Sequence, residues 1–208
     1  MYNHNSPTRV LVLDIPSKMD IYGLPAAIID EEFLRALFND YNVMNDYSSV
    51  VINSRIDAYG QPDSHAFITF ETREMALKAI NELNYTKLDN VPIRLSLDDD
   101  ETRRILMEGN TYVLVQNLDP DVEISMVHDA FANFGDIISC EIPTIEGKRQ
   151  GYAYIIYRNV EDAKQAIKDL KDASINGRLV SLQLFNPFEL PPSWARNFCF
   201  CLNNIIKN

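Results

Sequence analysis

The sequence predicts an α+β protein made of two ferredoxin-like βαββαβ domains in tandem, each a four-stranded antiparallel sheet with two helices on one face. Three observations predict it. An internal repeat relates "RVLVLDIP" at Arg9–Pro16 to "YVLVQNLDP" at Tyr112–Pro120, and "SHAFITF" at Ser64–Phe70 to "GYAYIIY" at Gly151–Tyr157. Between and after these pairs the same order of strand-like and helix-like segments occurs twice. The 208 residues also suit two domains of about 100 residues each.

The elements follow in chain order. Arg9–Pro16 is a short apolar run and reads as a strand. "SKMDIYGLPAAI" (17–28) lengthens the connection after it and reads as an insertion, with Pro25 near a helix start. "DEEFLRALFNDY" (30–41) is the first helix and "SSVVINSRI" (48–56) the second strand. "SHAFITF" is the third strand. In "ETREMALKAINEL" the residues Met75, Ala76, Ala79, Ile80 and Leu83 recur at helical spacing. "VPIRLSL" (91–97) closes the first domain, whose bounds are 8–97. An acidic linker, 98–110, follows. The second domain, 111–186, repeats the plan: strand 112–120, helix 123–135, strand "DIISCEI", strand 151–157, a helix with Ala163, Ala166, Ile167 and Leu170 on one face, and strand 178–185. A C-terminal extension occupies 187–208.

Alternation along "GYAYIIY" puts Tyr152, Tyr154 and Ile156 on one face, and Ala153, Ile155 and Tyr157 on the other. The second set reads as core. The first places two phenol rings on the sheet face that the helices leave open. Such a pair is either covered by a partner chain or is a stacking platform for unpaired bases.

Composition limits the rest. The net charge is −11, which argues against binding nucleic acid by charge alone. Residues 8–97 carry 8 basic against 13 acidic side chains (net −5), residues 98–110 carry 2 against 5 (net −3), and residues 111–186 carry 7 against 11 (net −4). No apolar run is long enough to span a bilayer, so no membrane association is expected. "MYNHNSPTRV" lacks the apolar core of a signal peptide. Cys140, Cys199 and Cys201 form no disulfide framework, which fits a reducing compartment, and "CFC" is too close for zinc spacing. His4, His65 and His128 fall in no metal or nucleophile motif, and there is no phosphate-binding glycine loop. The expectation is no enzyme, no cofactor and no metal.

The strand order with these two motifs resembles the RNA recognition motif (RRM) family, which carries a six-residue motif in strand one and an eight-residue motif in strand three. "QGYAYIIY" fits the longer motif except that Gln150 replaces the usual basic residue, and "VLVQNL" fits the shorter one except that Leu114 replaces the usual aromatic. "FGDIISCEI", "QNLDP", "QGYAYIIY" and the stretch "RLSL…DETRR" are further similar to the first two RRMs of the poly(A)-binding protein family. The resemblance implies single-stranded RNA as partner, with A-rich tails favoured, and a translation factor as a protein partner on the helical face of the second RRM. It also implies a cytoplasmic location, with a nuclear pool compatible.

The RNA-facing positions it implies are Leu11, His65 and Phe67 in the first domain, and Leu114, Gln116, Tyr152 and Tyr154 in the second. The basic candidates near the open faces are Arg94, Lys148, Arg149 and Arg178. Several residues depart from the pattern. Asp63, Ser64 and His65 replace a cation, a glycine and an aromatic. Glu141 stands where a lysine is expected, and the linker reads "DDDET". The 208 residues hold two RRM-like units, without the further units and C-terminal domain of full-length family members. The expectation is weak to moderate RNA binding, led by the second domain, with a shallow salt dependence. The alternative is a protein-interaction module, since Leu11, Leu13 and Leu114 on the open face suit an apolar partner and the acidic helices a basic peptide.

Overall fold

A computed structural model describes residues 6–56, 60–145 and 148–189. His4 and the C-terminal extension from 190 on, with Trp194, Cys199 and Cys201, lie outside the described residues. So does any covering of the second sheet by that extension. The chain divides into two compact units at Asp99/Asp100. Each is an α+β βαββαβ domain, as predicted.

In the first unit β1 (Thr8–Ile15) lies in the middle of a sheet with β4 (Val50–Ile56), β5 (Pro62–Phe70) and β8 (Arg94–Leu97), in the order β4-β5-β1-β8 and antiparallel throughout. Helices α1 (Glu31–Leu37) and α2 (Arg73–Leu83) pack on one face. Both start on side-chain caps: Asp30 accepts from the Phe33 amide and Thr72 from the Met75 amide. Val10, Val12, Ala66, Ile68 and Phe70 meet Leu34, Phe38, Ala76 and Ala79 in the core. The two alanines let α2 approach the sheet closely, and Phe38 meets Phe70 edge-on at 5.9 Å between ring centres.

The insertion is itself structured. Ser17–Met19 (β2) and Pro25–Ala27 (β3) pair as a hairpin. Pro25 therefore begins a strand, not a helix. The turn is held by the Asp20 carboxylate, which accepts from the Tyr22 and Leu24 amides, and Gly23 takes φ +76°. The apolar run 91–97 is split: β7 (Val91–Pro92) pairs with β6 (Lys87–Leu88), and β8 starts only at Arg94.

The second unit begins with α3 (Asp100–Glu108), a helix within the stretch read as a linker. The sheet runs β10 (Ile137–Glu141), β13 (Tyr152–Tyr157), β9 (Tyr112–Gln116), β16 (Ser181–Phe185), with α4 (Ile124–Phe131) and α5 (Val160–Asp169) on one face. Two small hairpins accompany it, β11 (Thr144–Ile145) with β12 (Lys148–Arg149), and β14 (Ser174–Ile175) with β15 (Arg178–Leu179). Val113, Val115, Ala153, Ile155 and Tyr157 are fully buried with Val127, Phe131, Ala163 and Ala166. The Tyr157 hydroxyl donates to the Phe131 carbonyl at 2.8 Å, and burial raises its pKa far above the ordinary tyrosine value.

Candidate nucleic-acid interface

Register fixes which side chains share the helix-free face of each sheet. In the second domain Leu114 stands opposite Tyr154 on one side and Gln183 on the other. Gln116 stands opposite Tyr152 and Ser181, and Tyr112 opposite Ile156 and Phe185. Four aromatic rings therefore form a connected row. Tyr152 and Tyr154 meet edge-on at 5.3 Å, Tyr154 and Phe185 lie 5.2 Å apart at a tilt of 34°, and Phe185 meets Tyr112 edge-on at 5.8 Å. The sequence reading found the two tyrosines of β13 and missed Phe185 and Tyr112. The only signal for these two was their place at the paired ends of β9 and β16.

The rings differ in access. Tyr112 is fully buried and donates to the Leu106 carbonyl of α3, so it anchors the linker helix. Tyr154, between Tyr152 and Phe185, is 4 % exposed. Tyr152 and Phe185 are half-buried, and Gln116, also half-buried, lies beside Tyr152. Leu114 is buried. Gly151 explains how β13 starts here. It takes φ +71° and accepts the Leu118 amide at 2.9 Å, a left-handed turn that favours glycine over any side chain.

The basic candidates of this domain divide. Lys148 is exposed and its ammonium has no partner among the described residues. Arg149 donates to the Val122 carbonyl at 2.6 Å and the Pro120 carbonyl at 3.3 Å, and lies 3.5 Å from Glu123. Arg178 reaches the Leu118 carbonyl at 3.4 Å and Asp119 at 3.8 Å. Both guanidiniums thus brace the loop that follows β9.

The first domain places other chemistry on the same face. Leu11 stands opposite Phe67 and Ser96, and Leu13 opposite Arg94. His65 meets Phe67 edge-on at 5.6 Å. Arg9 lies over the Phe67 ring, 4.5 Å from its centre, and its Nε donates to Asp98. Leu11, Leu13, His65, Arg94 and Ser96 are buried and Phe67 is half-buried. Arg94 is held by Asp14, whose Oδ1 lies 3.1 Å from Nη2. Asp14 itself sits at a bulge with φ 60°. Burial, and then the positive charge of Arg55, lower the pKa of His65, with Asp63 opposing, so the ring is neutral near pH 7.

The linker acids are not a free negative run. Asp98 binds Arg9, Asp99 accepts from Arg73 at 2.8 Å, and Asp100 from Arg103 at 2.9 Å. Arg104 pairs with Glu108. Each pair mutes a charge that would otherwise repel phosphate. Among the described residues no cluster of three His, Cys, Asp or Glu could hold a metal, and no helix is long and apolar enough to cross a membrane.

Known proteins match the chain as follows. The family model described as "RNA recognition motif" matches residues 21–94 and 113–181. The chain is 31 % identical over 155 residues to "Polyadenylate-binding protein, cytoplasmic and nuclear" of Encephalitozoon cuniculi, covering 71 % of this chain and 30 % of that protein. It is 34 % identical over 119 residues to "Polyadenylate-binding protein 2" of Arabidopsis thaliana, covering 56 % of this chain and 18 % of that protein. It thus spans less than a third of the length of either relative. Among solved structures, the Sex-lethal RNA recognition domains 1 and 2 from Drosophila melanogaster are 22 % identical, covering 86 % of this chain and 99 % of that one, with a TM-score of 0.37. With two domains of the same strand order, each matched by the family model, the chain belongs to the RNA recognition motif family.

Proposed function

We propose that the chain binds single-stranded RNA, with A-rich segments favoured, through the helix-free face of its second domain. The observation that carries this reading is the connected row Tyr152–Tyr154–Phe185 on that face. A base stacked on an aromatic side chain contributes roughly 1–3 kcal/mol without needing a net positive surface. Stacking therefore remains open to a chain of net charge −11. Tyr152, the more exposed tyrosine, receives the first base, while Tyr154 and Phe185 back it. Gln116 and Gln183 stand beside the row and can donate to or accept from a base edge. Exposed Lys148 supplies a phosphate contact. The preference for adenine rests on the relatives named as polyadenylate-binding proteins, and so does a cytoplasmic and nuclear location.

The test is a titration of labelled oligo(A), oligo(U) and oligo(C) against the whole chain and against Tyr152→Ala. Micromolar binding that weakens about tenfold in the variant is expected. No binding to any of the three at low salt would discard the reading.

A second reading has one observation in its favour. On the first domain's face Leu11, Leu13 and His65 are buried and Phe67 is half-buried, which leaves a base little ring surface to stack on. Under it, oligonucleotides fail to bind while a peptide selected against the chain shifts the amide resonances of β1 and β5.

A further inference from the structure

We propose that Arg9 is the nucleotide-contacting residue of the first domain, its guanidinium serving as the shelf on which a base stacks. The inference rests on the RNA-binding reading above. Neither strand motif contains Arg9, which precedes the first of them by one residue.

Three observations converge on it. The guanidinium lies over the face of Phe67, 4.5 Å from the ring centre, so the ring itself is not the outermost surface there. Its Nε is tied to Asp98, whose side chain is 5 % exposed, while the Arg9 side chain is 45 % exposed. One edge of the group is therefore anchored below and its outer part open above. Both terminal nitrogens, Nη1 and Nη2, have no partner among the described residues.

An anchored planar cation with free N–H groups matches a nucleotide in two ways. Its face stacks on a base, as arginine planes do in single-strand recognition, and its free donors reach a phosphate or a base edge. The aromatic ring beneath and the carboxylate at the edge fix the plane in advance, so little side-chain freedom is lost on binding. The other arginines of this domain are engaged elsewhere: Arg35 donates to Glu31, Ser49 and the Asp46 carbonyl, Arg94 is buried against Asp14, Arg55 is paired with Asp63 at 2.9 Å and Arg73 with Asp99.

The experiment titrates fluorescein-labelled oligo(A) against the whole chain, Arg9→Lys, and Arg9→Ala combined with Asp98→Asn. The double variant avoids leaving the nearly buried Asp98 carboxylate without its cation. A stacked arginine predicts about a tenfold loss in the double variant. It also predicts a loss in Arg9→Lys of more than half that factor, because lysine keeps the charge and loses the plane. Wild-type affinity in the double variant overturns the proposal. So does wild-type affinity in Arg9→Lys, which would reduce Arg9 to a screening charge. Failure of the unmodified chain to bind at all is a different result and overturns the RNA reading itself. Amide spectra of β1 and β5 confirm that each variant keeps its fold.

Discussion

At four matching places on their helix-free faces the two domains carry different rows. The second has Tyr152, Tyr154, Phe185 and Tyr112; the first has His65, Phe67, Asp98 and Arg9. The match follows from register. Leu114 pairs with Tyr154 and Gln183, Leu11 pairs with Phe67 and Ser96, and a left-handed residue stands at the matching place in each, Asn117 just after β9 at φ 65° and Asp14 near the end of β1 at φ 60°. One position further out, the Tyr112–Phe185 ring contact becomes the Arg9–Asp98 ion pair. Meanwhile the core faces barely differ: Val10 and Val12 answer to Val113 and Val115, Ala66 to Ala153, Phe70 to Tyr157. Packing against two helices fixes one side of each strand. The other side is available for ligand chemistry, and there the domains have diverged.

The sharpest way to break this contrast is to give the second domain the acid of the first. Phe185→Asp removes the ring that meets both Tyr154 and Tyr112 and sets a carboxylate beside the stacking row. Lost support and repulsion of phosphate together predict a loss of about 2 kcal/mol in oligo(A) binding, roughly thirtyfold. Equilibrium titration measures it. Unchanged affinity would remove Phe185 from the platform and return the two faces to equivalence.

A second contrast lies at the start of the third strand. Gly151 turns the chain left-handed before β13, whereas Ser64, at the matching place, continues β5 in regular pairing. Its hydroxyl lies 2.7 Å from that of Ser54, and Arg55 pairs with Asp63 one step further along the strands. Exchange should therefore harm both domains. Gly151→Ala imposes a left-handed alanine at about 1–2 kcal/mol. Ser64→Gly loses a buried hydrogen bond and adds backbone freedom, at about 1 kcal/mol. Thermal melting of each variant checks the pair, and a neutral Gly151→Ala would show that β13 can start without the turn.

What the sequence made legible follows the same division. Period-two and helical spacing located the sheet strands and helices because burial on one side imposes them, and the faces of Tyr152–Tyr157 came out as read. The β2–β3 hairpin was obscured by Pro25, which opens helices and edge strands alike; the Asp20 side-chain bonds that settle the matter are a local signal too short to outweigh it. Phe185 and Tyr112 sit at strand ends, where only register joins them to the tyrosines. Arg149 and Arg178 were visible as cations, but the direction of a long side chain depends on which carbonyls lie within reach, here those of residues 118–122.

The smallest predicted effect concerns His65, which stands where the second domain has Tyr152. Burial, then Arg55, lower its pKa below the usual 6.5, while Asp63 partly opposes them. Among the described residues its Nδ1 finds no hydrogen-bond partner, so a protonated ring would be poorly accommodated. Between the lowered folded value and 6.5 the unfolded chain binds a proton that the folded domain does not, so stability is full above 6.5 and declines as pH falls through that window. His65→Phe keeps a ring against Phe67, resembles the second domain, and cannot titrate. Protection of the β5 amides in hydrogen exchange, compared between the two proteins from pH 7.5 to 5.5, should fall further in the wild type. Parallel behaviour would mean that the histidine accepts its proton equally well folded and unfolded, and that its burial puts no electrostatic constraint on the first domain's face.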